Sequence, residues 1–221
     1  MADLKLLGGA VRGALVFGSM ASGEFRPGLS DVNVLIVLHS AGMAELAALD
    51  GALKRWRRRG HTLPIICQPD ELHALAQTYP IEFSDMIDHH RVLFGEDPLK
   101  DLLVDTQALG YQCRHDVSLI ILKLRQAVAL YAGDSKRLRK ILIDSLPSVL
   151  TLMRAALRLR GSIPRLSKIE ASERLAALAG FDALKLRQIL DFHLQRSSDD
   201  IRQLLADYFG ILEKVVLYLR Q

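Results

Sequence analysis

The sequence predicts an α+β fold, in which a mixed β-sheet with helices on one face precedes an all-helical bundle. Short runs rich in β-branched residues occur only before about residue 100, and only helical spacing follows them. The charge also changes sign along the chain: residues 1–104 carry a net charge of −3, and residues 105–221 carry +7. We therefore expect a sheet-containing domain at residues 1–98 and an all-helical domain at residues 99–221.

Two strands are expected near the N-terminus. Residues 13–17 form a short apolar run that ends in a glycine turn at Gly18 and Ser19. Residues 25–30 contain proline and glycine and are typical of a loop, and residues 31–38 are rich in Val, Ile and Leu. We expect the segments 13–17 and 31–38 to be neighbours in one sheet.

The rest of the first domain alternates helical and extended patterns. Apolar residues at helical spacing predict a helix over residues 43–59, which Gly60 ends. Pro64 favours an edge position for a third strand. The further elements predicted here are a strand at 63–68, a helix at 70–77 and short extended pieces at 81–88 and 91–94.

Beyond residue 100 the pattern predicts five helices. Long apolar stripes predict helices at 102–131 and 136–160, the second with a kink or break at Pro147. The remaining signals are helix ends: a capping box from Ser167 to Glu170, a stop at Gly180, and caps at Asp182 and Ser198.

Composition excludes several classes of protein. Cys67 and Cys113 are the only cysteines, too few for a disulfide framework or a metal cage, so we expect reduced thiols in the core. Apolar runs such as residues 34–38 are far shorter than a bilayer-spanning helix needs. The first residues lack the features of a secretory signal. We expect a soluble, cytoplasmic protein with no membrane partner.

The basic second half has two interpretations. Its positive charge suits an anionic substrate such as a nucleotide or RNA. The same charge also fits ordinary solvated helix faces. The sequence leaves both open, and it leaves homo-oligomer formation open as well.

One segment carries residues suited to phosphate and metal chemistry. Gly18 permits a tight turn and close approach of a ligand, and Ser19 follows at a predicted helix start, where free N–H groups favour phosphate. Asp31 and Asn33 lie two apart on the predicted second strand, so their side chains are expected on one face. Mg²⁺ prefers one or two carboxylates together with substrate phosphates. The alternative is a plain strand–turn–strand with a surface aspartate.

This arrangement resembles the polymerase-β-like nucleotidyltransferase superfamily, in which a Gly-Ser turn and a further glycine precede a Ser-Asp-x-Asp strand. A helical domain behind the sheet resembles the aminoglycoside and minimal nucleotidyltransferases. The resemblance implies a nucleoside triphosphate as substrate or ligand, Mg²⁺ as cofactor, and transfer of a nucleoside monophosphate to a hydroxyl of a small molecule, protein or RNA. It assigns the nucleotide to Gly18, Ser19, Gly23 and Ser30, and the metal to Asp31 and Asn33.

Two positions depart from the family pattern. Asn33 stands where the second metal-binding aspartate is expected, and an amide brings no negative charge. The predicted strand 63–68 carries no carboxylate. The nearest candidates for a third catalytic acid are Glu82 and Asp85, of which we take Glu82; their alternative role is that of surface carboxylates on an edge element.

Three functions therefore compete. The first is an active nucleotidyltransferase, and the second is a catalytically impaired nucleotide-binding or regulatory module. The third is a toxin–antitoxin type partner, because Arg187 and His193 resemble the Arg-x(4–6)-His signature of helical HEPN ribonucleases. Asn33 and the missing third acid favour the second function over an active enzyme.

Overall fold

The chain forms two compact units in the computed structural model, which describes residues 9–25, 30–161, 165–194 and 200–221. The units comprise residues 1–105 and 106–221. Leu99 and Leu102 pack into a core of the first unit, which is why that unit extends past the end of the last strand.

The first unit is built on a four-stranded mixed sheet. Its strands are β1 (Val11–Phe17), β2 (Asn33–Leu38), β3 (Ile65–Cys67) and β4 (His90–Gly95). The order is β3-β2-β1-β4, with β1 antiparallel to both β2 and β4 and with β2 parallel to β3. The predicted pairing of the first two strands in one mixed sheet is confirmed, and β3 lies at an edge of the sheet, as Pro64 indicated.

Five helices of the described residues connect these strands: α1 (Ser19–Ser22), α2 (Met43–Ala48), α3 (Asp50–Arg58), α4 (Glu71–Thr78) and α5 (Pro80–Asp88). The single helix predicted over 43–59 is interrupted at Leu49, which is buried. The prediction of an extended piece at 81–88 is wrong, because this segment is α5. Pro80 occupies its first turn, where proline is favoured, and Phe83 and Met86, three residues apart, face the core.

Helices cover both faces of the sheet, so the prediction of helices on one face is also wrong. Leu15 and Leu35 pack with residues of α4 and α5, whereas Val34 and Ile36 pack with Leu53 of α3. The connectivity explains the difference. The parallel pair β2 and β3 requires a crossover, which α2 and α3 supply, and the chain then returns from the β3 edge to β4 at the opposite edge through α4 and α5.

The second unit is helical throughout its described residues, as predicted. Its helices are α6 (Thr106–Tyr131), α7 (Ser135–Arg158), α8 (Lys168–Ala179), α9 (Ala183–Leu194) and α10 (Ile201–Arg220). The first begins four residues after the predicted start, the second begins one residue before it, and the third begins after the predicted cap at Ser167; α7 continues through Pro147 without a break.

The helix ends of the second unit follow the sequence signals closely. Ser167 and Glu170 form the predicted capping box, and Gly180 ends α8 with a φ of 72°. Asp182 accepts a hydrogen bond from the Leu184 amide. The predicted cap at Ser198 lies outside the described residues, and Asp200 caps α10.

Both cysteines, Cys67 and Cys113, are buried free thiols, as predicted. Among the residues that the structure describes, no helix combines the length and the apolar character needed to cross a bilayer.

Candidate functional site

The candidate site begins where β1 ends. Gly18 follows Phe17 with φ 69° and ψ −144°, a backbone conformation that is essentially restricted to glycine. The chain then turns directly into α1 at Ser19, as predicted. The amides of Ala21 and Ser22 both donate to the carbonyl of Gly18, at 2.9 Å each. This turn therefore exists because a glycine terminates the strand.

The helix that follows Ser19 is a single turn. It spans four residues and ends at Gly23, whose φ of 82° is left-handed. Ser22 donates from Oγ to Oε2 of Glu24 at 2.9 Å, which closes the turn with a local contact. A helix this short has only a small dipole, so an anion here must rely on individual N–H groups and hydroxyls.

Asn33 meets the Gly18 turn from the neighbouring strand. It is the first residue of β2, where it pairs with Phe17. A Cβ atom on Gly18 would lie 3.2 Å from Nδ2 of Asn33, and no other atom of that amide comes within 4 Å of this position. The amide nitrogen of Asn33 therefore faces the turn. Two segments that lie 15 residues apart in sequence are thus brought together at one end of the sheet.

Asp31 lies before β2 rather than on it. The predicted strand start at residue 31 is therefore wrong, because β2 begins at Asn33, the residue opposite the last residue of β1, whereas a shared face for Asp31 and Asn33 stays a prediction. Asp31 is exposed, and Ser30 beside it is half-buried. Residues 26–29 of the same loop lie outside the described residues.

The acids proposed as a third carboxylate both lie on α5. Glu82 is exposed there, and Asp85 is buried at 8 % exposure. The helix places Glu82 on its solvent side because Phe83 and Met86 occupy the core side. Among the described residues, no group of three or more His, Cys, Asp or Glu side chains could hold a metal ion. Any metal here would depend on Asp31, the Asn33 amide and the ligand's own oxygens.

An apolar cavity of about 280 Å³ adjoins the same turn. Val16 and Val34 line it from the sheet, Met20 lines it from α1, and Trp56 lines it from α3. Nε1 of Trp56 donates to the carbonyl of Thr62 at 2.6 Å, which fixes the indole. Arg59 and Arg91 also line the cavity, and both are exposed.

His90 is a residue of this end of the sheet that the sequence analysis did not select. It pairs with Phe17 on the side opposite Asn33. Its Nδ1 lies 2.9 Å from the carbonyl of Met86, and its Nε2 lies 3.1 Å from Oδ2 of Asp97. Asp97 also accepts from the amide of Leu99. These contacts fasten the start of β4 to the loop that follows it, a role that became visible only with the register of β4.

Of the HEPN-like pair, only Arg187 has a side chain within the described residues. Arg187 of α9 donates from Nε to Oε1 of Glu173 on α8, at 2.6 Å, so its guanidinium joins two helices. His193 lies in α9, but its side chain is outside the described residues. The ion pair gives Arg187 a structural role that requires no catalytic partner.

Comparison with known proteins adds no family assignment. No protein-family profile matches the chain, and no curated protein sequence matches it significantly.

Proposed function

We propose that the first unit binds a nucleoside triphosphate with Mg²⁺ at the end of the sheet formed by Gly18, Ser19, Asp31 and Asn33. The observation that carries this proposal is the contact between the glycine turn and the start of β2, where Nδ2 of Asn33 lies 3.2 Å from the position of a Gly18 Cβ. The glycine turn and the start of β2, which together resemble the nucleotidyltransferase motif in sequence, are therefore also neighbours in space.

Phosphate would be held by three kinds of donor. The hydrogen bonds of α1 begin with Ala21 and Ser22, so the preceding amides of Ser19 and Met20 are the ones directed to a ligand at this turn. The hydroxyl of Ser19 adds a second donor. Nδ2 of Asn33 adds a third, because a phosphate oxygen that approaches Gly18 would meet this amide group.

Mg²⁺ would be held chiefly by the exposed carboxylate of Asp31 and by phosphate oxygens. Mg²⁺ in such sites commonly retains several waters and takes only one or two carboxylates from the protein. When bound, the metal would neutralise the charge of the phosphates. The base would occupy the apolar cavity beside Met20 and Trp56, which has space for a planar ring system.

A fluorescence titration tests this proposal directly, because Trp56 is the only tryptophan of the chain and lines the cavity. We expect ATP or GTP with Mg²⁺ to change the emission of Trp56 saturably, and calorimetry to report the same affinity. Gly18→Val should abolish both signals. Equal binding by the wild type and Gly18→Val, or no binding by either, would contradict the proposal.

Nucleotidyl transfer is the second candidate function. In this reaction an acceptor hydroxyl attacks the α-phosphorus, the bond to the β-phosphate oxygen breaks, pyrophosphate leaves, and the hydroxyl proton passes to a base. β3 offers no carboxylate as that base, and Glu82 lies on the solvent side of α5. Asn33 brings no negative charge for a second metal, and this also favours binding without transfer.

Pyrophosphate release distinguishes the two functions. The wild-type protein should bind nucleotide but release no pyrophosphate above background when it is supplied with a mixture of small-molecule, protein and RNA acceptors. Sustained release that Asp31→Asn abolishes would instead establish transfer.

A further inference from the structure

We propose that the helical unit carries a separate binding site for a phosphomonoester, in a cavity of about 450 Å³. The cavity lies between the first turns of α6 and the last residues of α7 and α10. Its lining includes Thr106, Gly110, Arg114, Arg160 and Tyr218. No acidic side chain lines it among the described residues.

Arg114 is positioned by a glycine one turn earlier. A side chain on a helix lies over the preceding turn, so Arg114 covers position 110. A Cβ there would lie 3.2 Å from Nη1 of Arg114 and 3.7 Å from Cδ2 of Leu159. Gly110 therefore leaves the space that the guanidinium occupies beside the cavity.

Arg160 is held by an aromatic ring that also lines the cavity. Its guanidinium carbon lies 5.2 Å from the centroid of the Tyr218 ring. Nη2 of Arg160 donates a long hydrogen bond of 3.5 Å to the carbonyl of Tyr218. Stacking orients the guanidinium and leaves N–H groups for a ligand. In the described part of the chain, neither Arg160 nor Arg114 forms an ion pair.

Two guanidinium groups that form no ion pair in the described part of the chain match the charge of a phosphate dianion. The unit as a whole attracts anions, since residues 106–221 contain 19 Lys/Arg against 11 Asp/Glu. The free amides of the first turn of α6 also attract anions. A cavity of about 450 Å³ exceeds what phosphate alone requires, which favours the monoester of a small molecule over the free anion.

Calorimetry on the full chain tests this site with ribose 5-phosphate as the probe. We expect saturable binding that Arg114→Gln and Arg160→Gln each weaken about tenfold or more, because each removes charged hydrogen bonds. Arg125→Gln is the matched control: Arg125 lies on α6 and pairs with Glu213, outside the cavity. Gly18→Val should leave this binding unchanged, which separates the site from the proposed nucleotide site.

Gly110→Ala provides a test that does not alter charge. The added Cβ would lie 3.2 Å from Nη1 of Arg114 and would shift the guanidinium by a few tenths of an ångström, so affinity should fall modestly. Alanine has the higher helix propensity, so a loss of affinity without a lower melting temperature cannot be attributed to unfolding.

Three further ligands identify which part of the probe is recognised. Ribose without phosphate should not bind, and inorganic phosphate should bind more weakly than ribose 5-phosphate. Tighter binding of AMP would indicate a nucleotide as the source of the phosphate, and equal binding would indicate a sugar phosphate. Absence of binding by every phosphate-bearing ligand would overturn the proposal, as would equal affinities of the wild type, Arg114→Gln and Arg160→Gln.

Discussion

Nδ2 of Asn33 occupies the space beside Gly18 that any larger residue at position 18 would need, since a Cβ there would lie 3.2 Å from it. The two residues are also linked through the backbone, because Gly18 follows Phe17 and Phe17 pairs with Asn33. A substitution at either position therefore changes the surroundings of the other. This coupling allows the turn and the strand start to be tested as one unit.

Gly18→Ala should destabilise the first unit more than Gly23→Ala. Gly18, with φ 69° and ψ −144°, lies in a region essentially restricted to glycine, whereas Gly23, with φ 82° and ψ 5°, is left-handed and has no atom within 4 Å of its Cβ position. We expect a loss of about 2–3 kcal/mol in the free energy of unfolding for Gly18→Ala and about 1–2 kcal/mol for Gly23→Ala. Urea denaturation measures both. Equal losses would contradict the greater backbone restriction at Gly18 and the role of the Asn33 contact together.

Local signals predicted the parts of the fold whose chemistry is local. The capping box of Ser167 and Glu170 and the glycine stop at Gly180 depend only on neighbouring residues. The turn at Gly18 and Ser19 was found for the same reason. Segment 81–88 was misassigned because Ile81 and Phe83 alternate with polar residues, which is the period of a strand. The helical period continues to Met86, and burial of that side chain decides the structure.

Features set by pairing could not be read from the sequence. The start of β2 depends on where β1 ends, so Asp31 falls outside the strand although its neighbours are typical strand residues. Arg160 contacts Tyr218 only through the packing of helices that are distant in sequence. The role of Arg114 could be inferred only from its contact with the position of Gly110. The local patterns fit helices on one face of the sheet as well as helices on both faces, and the strand order decides between these two arrangements.

Cys67 should be unreactive in the folded protein. Burial, with a smaller contribution from the charge of Glu71, raises the pKa of its thiol from 9.0 to about 11. At pH 8 the thiolate fraction is then about 0.1 %, against about 10 % for an ordinary thiol of pKa 9. Reaction of Cys113→Ser with an aromatic disulfide reagent, which leaves Cys67 as the only thiol, should be at least about 50-fold slower than in urea-denatured protein. A rate equal to that of the denatured protein would contradict the buried position of Cys67.

Tyr208 should make the helical unit sensitive to alkaline pH. Burial raises the pKa of Tyr208 above its ordinary value of 10.0, and the bond with Ser145 opposes this shift to a smaller extent. The hydroxyls of Tyr208 and Ser145 lie 2.9 Å apart, and Ser145 donates to the carbonyl of Leu142. Above pH 10 the unfolded chain loses this proton first, so the stability present below pH 10 declines as the pH rises.

Tyr208→Phe separates the contribution of the hydrogen bond with Ser145 from the contribution of the ionisation of Tyr208. At pH 7 it should lower the free energy of unfolding by about 1 kcal/mol, through loss of the hydrogen bond. Between pH 9 and pH 11 the wild type should lose about 1.4 kcal/mol more than the variant, since only the wild type ionises at this position. Tyr111→Phe is the control, because Tyr111 is exposed. Parallel pH profiles for the wild type and Tyr208→Phe would contradict the assignment.

Asn33→Asp distinguishes a nucleotide-binding module from an active transferase. The substitution places a carboxylate against the Gly18 turn and near the segment that carries Asp31. Two like charges close together disfavour joint ionisation, so the variant should melt at a lower temperature than the wild type without metal. Mg²⁺ or Mn²⁺ should restore the melting temperature by binding the folded state preferentially. The wild type, with one carboxylate, should show a much smaller shift.

The double variant Asp31→Asn with Asn33→Asp is the matched control, because it keeps one carboxylate but exchanges its position. Without metal, its melting temperature should not be lowered as that of Asn33→Asp is. Divalent metals should also raise its melting temperature much less. We further expect Asn33→Asp to bind metal more tightly while pyrophosphate release stays negligible, since β3 supplies no third carboxylate. Turnover by the variant would show that Glu82 or another acid acts as the base. A melting temperature of Asn33→Asp that does not respond to divalent metals would show that positions 31 and 33 form no metal site, and the proposed Mg²⁺-dependent binding would fail with it.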